Sequence, residues 1–414
     1  MAPIAQGWPG RRQGAVPPGA LAASEAGLGR GPATAQELEQ RIQARVAGAQ
    51  SVDELVATSL QLRQETADSV AAWSMRGRAT DVAGTGEATP AVAAAEVATL
   101  TGALSRLSDE VTRRAVQLVA GQSQVDLREA CWLAFGSQAR GEQTLQTDQD
   151  NGLVFAAVGE AEAEARRPAW QALGQRVNEV LAQCGYPLCD GRVMAGQPLC
   201  CLSTVEWCRR FEHWMAHGDG NDLFAARIYF DTRPVAGNPA LAGPLLEVLR
   251  SPATSVPRFI KQLADVVLRN RVPLGWLGRV VTTEMAGEPV FDLKVGGTAL
   301  FVDAGRLWAL AHRLTAIGTA PRMQAAAQVL RVPDAEAQTW VEGFQTLQRL
   351  RLQAQLVRLA QAAAGVPEAH AETHAETRAW VRWSDLAAGD RRLLERALRA
   401  ARTVQQRIEL DYCR

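Results

Sequence analysis

The sequence predicts an α+β chain: a small mixed sheet with helices before it and a helical region after it. Three observations predict this. Apolar residues recur at three- and four-residue steps from about residue 35 to 120, and again over most of 251–414. Between them, short apolar runs alternate irregularly with helical periods and turn signals, which suits a small sheet with helices packed on it. At 414 residues the chain has room for two or three domains and a sizeable core.

Residues 1–34 are rich in Gly, Pro and Ala, lack an apolar period, and read as disordered. From there Leu38, Ile42 and Val46, then Val52, Leu55, Val56, Leu60 and Leu62, fall at helical spacings. The segment 79–86 breaks the pattern before a helix-compatible stretch from Thr89 to Val119, so 35–120 reads as a helical brace. The sheet-bearing domain is expected over 121–250. Trp132–Phe135 and Gly152–Ala157 read as strands, and Glu160–Cys184 as a helix stopped by Gly185 and Pro187. Cys189–Ala195 reads as a strand crossing back. Ser203 and Glu206 form a capping box for a helix to about Met215, and 218–221 is a loop. Asp222–Val235 is expected to pass through a helical turn into a strand holding Ile228, Phe230 and Asp231. The domain 251–414 reads as helical, with helices over Pro257–Arg271, Ala299–Ala316, Ala335–Ala363 and Asp390–Leu410.

Composition excludes several classes. A formal net charge of zero leaves no electrostatic footprint for nucleic acid or an anionic membrane, which argues against a polymerase. No apolar stretch approaches a membrane span and no basic-then-apolar leader opens the chain, so cytoplasmic residence is the expectation. Seven cysteines without an export signal argue against a disulfide framework. Five of them lie between Cys184 and Cys208, yet their spacings fit no paired C-x₂-C zinc pattern, and they read as small buried hydrophobes. The tandem repeat at 370–377 spaces His370 and His374 one helical turn apart. It offers no third ligand and reads as a surface insertion. Lysine occurs only at positions 261 and 294, which draws attention to Lys294.

The segment Cys131–Phe155 carries the chemistry. Gly136-Ser137 turns the chain at the end of a buried strand, and Ser137–Gln143 can form a short helix whose first amides suit phosphate. Gly136 allows close backbone approach, and Ser137 adds a hydroxyl donor. Asp148 and Asp150, two apart on an extended backbone, point at one spot. Two hard oxygen ligands facing a phosphate cradle suit a Mg²⁺-nucleotide and point to nucleotidyl transfer. Arg140 lies one turn into the helix with a planar fork suited to phosphate; Glu142 reads as its orienting partner, and Gln143 and Thr147 as loop-fixing polar groups.

Gly-Ser followed by Asp-x-Asp, with Gln138, Arg140, Gly141, Glu142, Gln143, Thr147, Gln149 and Asn151 around it, resembles the DNA polymerase beta nucleotidyltransferase superfamily. The fuller pattern is similar to the bacterial signal-transduction nucleotidyltransferases often fused to CBS or cyclic-nucleotide-binding domains. Those are distant relatives of PII-protein uridylyltransferase and glutamine synthetase adenylyltransferase. The resemblance implies a sheet domain of DNA polymerase beta type, flanked by N-terminal helices and a C-terminal all-helical substrate-binding domain. A built-in CBS sensor is not expected. It implies Mg²⁺ or Mn²⁺ held by Asp148 and Asp150, and transfer of AMP or UMP from a nucleoside triphosphate to an acceptor, a regulatory protein. Nucleic acid and membrane are not expected partners. An inactive or weakly active nucleotide-binding module is the alternative.

A third carboxylate is usual in that superfamily. Asp231, in Phe-Asp-x-Arg-Pro, matches a family signature and is preferred over Asp190; its rival reading is an ion pair with Arg233 or Arg227. A second signature, Asp292-Leu293-Lys294 followed by Gly296-Gly297, resembles the opening of the helical domain in these relatives. There the glycines are usually followed by Arg-Asp, whereas this chain continues Thr298-Ala299. Lys294 either reaches the nucleotide across the cleft or fixes the hinge, and Arg306 and Arg313 are candidates to line the same cleft.

Overall fold

The computed structural model describes residues 35–83, 90–123, 125–364 and 379–413. The 1–34 segment, the later part of the expected break at 79–86, and His370 and His374 lie outside the described residues. The chain begins with α1 (Ala35–Gly48), α2 (Val52–Ala83) and α3 (Pro90–Gly121), the helical lead-in that the apolar spacing predicts. Then follow β1 (Ala130–Phe135), α4 (Gly136–Arg140), β2 (Asn151–Phe155), α5 (Glu160–Gln183), β3 (Cys201–Ser203), α6 (Thr204–His217), α7 (Gly220–Ala226), β4 (Thr232–Gly237) and α8 (Gly243–Val248).

The four strands form one sheet in the order β3-β2-β1-β4. β1 is antiparallel to both β2 and β4, while β2 and β3 are parallel, so the sheet is mixed as expected. Pro234 sits in β4, at the sheet edge, where a missing N–H breaks no inner ladder. Every residue of β1, β2 and β3 is buried, because both faces are covered. Strand alternation divides them. Cys131, Leu133, Phe135, Val154 and Leu202 join a core shared with the C-terminal helices. Trp132, Ala134, Leu153, Phe155 and Cys201 join a second core with α1–α3 and α5.

The remainder comprises α9 (Pro257–Arg269), β5 (Thr283–Met285), β6 (Glu288–Asp292), α10 (Ala299–Ala311), α11 (Thr319–Val329), α12 (Asp334–Ala363), β7 (Trp380–Arg382) and α13 (Ala388–Tyr412). The helices are those expected, with α11 added, and the three short strands form a small antiparallel sheet that helical periodicity does not reveal. No helix among the described residues is long and apolar enough to cross a membrane.

Two expectations need correction. Cys189–Ala195 is not a strand but an irregular loop, and the strand beside β2 is Cys201–Ser203. The loop is held by one backbone bond and a side-chain amide rather than a ladder: Asn151 N–H donates to the Val193 carbonyl (3.0 Å), and Ala195 N–H to Asn151 Oδ1 (2.8 Å). Likewise Ile228, Phe230 and Asp231 occupy the turn between α7 and β4, not the strand itself. The capping box at Ser203 and Glu206 is present as predicted.

The 189–196 loop packs directly on α5, where Gly174 leaves room for backbone. A Cβ on Gly174 would lie 2.5 Å from the Ala195 carbonyl oxygen. Gly174→Ala is therefore expected to destabilise the protein by about 1–3 kcal/mol, since backbone rather than a flexible side chain must move. Gly389→Ala, with nothing within 4 Å of the new Cβ, serves as the neutral control. Urea midpoints of the two variants compared with wild type check this; equal midpoints would contradict the close packing.

Candidate functional site

β1 delivers the chain to Gly136, which takes φ of +55°, a left-handed conformation that favours glycine. A Cβ there would stand 3.1 Å from Asp150 Oδ2 and 3.3 Å from Ile228 Cγ1. Phe135 N–H donates to the Asp150 carbonyl (2.9 Å), and Gly136 N–H to the Asp231 carbonyl (3.1 Å). The end of β1, the approach to β2 and the turn before β4 thus meet at one glycine. α4 is one residue earlier and shorter than the expected Ser137–Gln143. Gly141 turns left-handed (φ +71°), and Glu142 N–H closes back on the Ser137 carbonyl (2.9 Å). Ser137 is half-buried at the start of this turn.

Residues 148–151 alternate as the extended reading requires. Gln149 and Asn151 enter a buried amide network. Gln149 Nε2 donates to the Asn178 and Tyr186 carbonyls (both 2.9 Å), and Asn178 Nδ2 donates to Gln149 Oε1 (2.7 Å) and Asn151 Oδ1 (3.0 Å). Asp148 and Asp150 form the opposite set, and their carboxylates gather with a third group, the Cys189 thiol. One ligand atom from each of the three lies within 4.8 Å of the others. Cys189 Sγ donates to Asp150 Oδ1 at 3.4 Å.

No lysine or arginine among the described residues comes within 4 Å of either carboxylate in this group. Burial first, and then the neighbouring Asp148 charge, push the Asp150 carboxyl up to about 7, while Lys294 and Arg140 act more weakly in the opposite direction. Burial and the Asp150 charge likewise push the Cys189 thiol up to about 12. Lys294 therefore shares the electrostatic field of the aspartates. It is exposed on a wide turn of 294–298, closed by Thr298 N–H donating to the Leu293 carbonyl (3.0 Å). Asp292 Oδ1 caps that turn by accepting from Lys294 N–H (2.7 Å) and Val295 N–H (2.8 Å). Arg351 of α12 touches the same turn through Thr298 Oγ1 (3.4 Å) and bonds Gln348 Oε1 (2.9 Å). Burial brings its guanidinium down to about 10, so it stays charged at neutral pH.

Asp231 does not join the metal-ligand group. Its side chain is fully buried among three arginines, the inverse of an acceptor-activating carboxylate. Oδ2 accepts from Arg140 (2.6 Å) and from Arg306 (2.6 and 3.1 Å), and Oδ1 accepts from Arg322. These guanidinium groups overcome the upward push of burial and hold its carboxyl far below the usual carboxylate range. Asp231 is thus ion-paired, but not with Arg233 or Arg227: Arg233 goes to Asp109 (2.6 Å) and Arg227 to Asp303 (3.4 Å). Arg140, expected as a phosphate clamp, is committed to Asp231 and to Glu142 (2.8 Å), the orienting role expected of Glu142. Glu142 also accepts from the N–H and, at 3.0 Å, the hydroxyl of Thr319 at the start of α11. Gln143 Nε2 reaches Thr147 Oγ1 (3.4 Å), so both do stand in one loop contact. Arg306 turns into the arginine cage, Arg313 is exposed, and Asp190 is exposed and outside the group of three. Sequence reasoning missed Cys189, Arg322 and Arg351. No spacing rule marks them, because each is brought in by a different element.

The two kinds of aspartate titrate with opposite consequences. Asp231 has a depressed pKa when folded, so its stabilisation is present above the ordinary value of about 3.9 and is lost as pH falls below it. Asp231→Ala leaves three buried guanidiniums uncompensated and is expected to lose about 3–5 kcal/mol. Urea unfolding at pH 7, where an unchanged midpoint would refute the cage, checks this. Asp150 has a raised pKa, so its ionisation removes stability as pH rises from about 4 towards 7. In metal-free protein, Asp150→Asn is expected to be more stable than wild type at pH 8, by on the order of 1–3 kcal/mol, with the gain vanishing near pH 4. Melting curves in chelator across that range decide it.

Two family models match the chain. Residues 88–221 match the putative nucleotidyltransferase DUF294, and residues 257–412 match a putative nucleotidyltransferase substrate binding domain. No curated protein matches it. The two matches together take in more than two thirds of the chain, one bracketing Gly136, Asp148, Asp150 and Cys189, the other Lys294, Arg322 and Arg351. With a mixed sheet that joins a glycine turn to two aspartates, and a helical region after it, the chain belongs to the putative nucleotidyltransferase family that these models describe.

Proposed function

We propose that this chain is a divalent-metal-dependent nucleotidyltransferase. It moves a nucleoside monophosphate, AMP or UMP, from a triphosphate onto an acceptor, a regulatory protein in signal transduction. The observation that carries the reading is the pairing of Asp148 and Asp150, without an ion-pair partner among the described residues, with the backbone at Gly136 that lies against Asp150. The donor set suits a divalent cation: two carboxylates converge on one spot, one of them held in a site that disfavours its charge. Asp148 and Asp150 would hold the ion. Bound there, it neutralises the triphosphate and the charge that develops on the pyrophosphate leaving group.

The chain's own groups supply the rest. Gly136 admits phosphate oxygens close to the backbone, and Ser137 offers a hydroxyl beside them. Lys294 and Arg351, on the side of the C-terminal helices, bring positive charge and form no ion pair within 4 Å among the described residues. The oxygen of an acceptor hydroxyl bonds to the α-phosphorus and its proton passes to solvent, while the bridge to the β-phosphate breaks and pyrophosphate leaves. In this reading 121–250 is the catalytic domain, 251–414 binds the acceptor, and 35–120 braces the sheet from behind.

Incubation with Mg²⁺ or Mn²⁺, each α-labelled nucleoside triphosphate in turn, and lysate of the source cell should label a protein band. Asp148→Asn or Asp150→Asn should lower that labelling by at least about 10²-fold. Absence of transfer from all four triphosphates, with nucleotide binding unaffected in both variants, would sink the proposal.

One observation favours a second reading, a nucleotide-binding regulatory module with little turnover. The carboxylate expected to activate the acceptor, Asp231, is enclosed by arginines, and Asp190 stands outside the ligand group. Tight metal-nucleotide binding by calorimetry, without pyrophosphate release for any acceptor, would select it.

A further inference from the structure

The group around Asp148 and Asp150 contains sulfur where a third carboxylate was expected. We propose that Cys189 is the third protein ligand of this centre, making it an oxygen–oxygen–sulfur site matched to a borderline divalent cation of the Co²⁺ or Zn²⁺ kind rather than to Mg²⁺. The inference rests on the metal-site reading above and goes beyond it in donor set and ion.

Geometry is the first argument. In a tetrahedral centre with a metal–sulfur bond near 2.3 Å and a metal–oxygen bond near 2.1 Å, a sulfur–oxygen edge measures about 3.6 Å. Cys189 Sγ lies 3.4 Å from Asp150 Oδ1, and all three ligand atoms fall within 4.8 Å of one another. Charge is the second. Asp231 has three arginines, whereas neither Asp148 nor Asp150 has an ion-pair partner among the described residues, so a cation is the missing compensation.

The third argument is the scaffold that presents the thiol. The loop carrying Cys189 is fastened on both sides of the ligand strand. Gln149 N–H donates to the Pro187 carbonyl (3.0 Å), Asn151 N–H to the Val193 carbonyl (3.0 Å), and Gly196 N–H to Asn178 Oδ1 (3.0 Å). The residues flanking Asp150 thus set the position of the cysteine that faces it. Thiolate sulfur is foreign to Mg²⁺, which prefers an all-oxygen octahedron, but is a strong ligand for borderline ions. On binding, the Cys189 S–H bond breaks, its proton passes to solvent and a sulfur–metal bond forms, with no change of oxidation state.

Co²⁺ titration of the full chain without nucleotide tests this. Expected is a near-ultraviolet sulfur-to-cobalt charge-transfer band that saturates at one ion and is bleached by Zn²⁺. Cys189→Ser should abolish the band and weaken Co²⁺ at least about ten-fold. Asp148→Asn, which keeps every cysteine, should weaken the band in parallel and so guards against a misfolded cysteine variant. Calorimetric Co²⁺ binding that needs Asp148 but gives no band, or a band that survives Cys189→Ser, overturns the sulfur ligand alone. If neither Co²⁺ nor Mg²⁺ binds wild-type protein, the metal-site reading falls and this inference with it.

Discussion

A single buried carboxylate ties the sheet region to the C-terminal helices. Asp231 has no exposed surface, and an unpaired carboxylate there would be prohibitively costly. Its three arginines come from three elements: Arg140 from α4, Arg306 from α10 and Arg322 from α11. Asp303 and Glu142 complete the network, with Asp303 taking the other end of Arg306 and Glu142 tying Arg140 to Thr319. Arg227 joins at the edge through Asp303, so four arginines meet three carboxylates. The network's consequence is positional. The Gly136 turn hangs from the Asp231 carbonyl, and the turn bearing Lys294 runs directly into α10, which carries Arg306, so both turns are referenced to the same point.

The aspartates beside that cluster live under the opposite rule. Asp148 and Asp150 are the same residue type as Asp231, yet neither forms an ion pair among the described residues, and burial works against Asp150's ionisation instead of being overruled. A fold that meets one buried acid with three guanidiniums, and leaves Asp148 and Asp150 without an ion pair among the described residues, has separated structural charge from reserved charge. The same separation applies to the cations. Arg140, Arg306 and Arg322 are occupied, while Lys294 and Arg351 are not held by close carboxylates among the described residues.

Much of the fold was legible in the sequence because periodicity is a local property. The helices of 35–121 and most of those after 251, the strands at β1 and β2, and the capping box at Ser203 all follow from spacing and turn chemistry within one segment. What escaped were features set from outside the segment. The loop of 189–196 has strand-like residues but is pinned by amides of β2 and α5, so no ladder forms. The strands β6 and β7 join residues about ninety positions apart, and β5 and β7 are only three residues long, too short for a period to register. Asp231 carries a signature that reads as catalytic, and only its neighbours show it enclosed.

By itself, then, the sequence determined which backbone turn lies beside which acids. Gly136 to Asp150 is one short hairpin-like unit whose strand alternation sends Asp148 and Asp150 to a common side. Tertiary structure alone decided what else stands there. The thiol of Cys189, the cage around Asp231 and the cations at Lys294 and Arg351 arrive from segments tens to hundreds of residues away. The reason is physical. Alternation along a strand is imposed by local covalent geometry, whereas the state of a charge depends on solvent exclusion and on partners that only packing brings together.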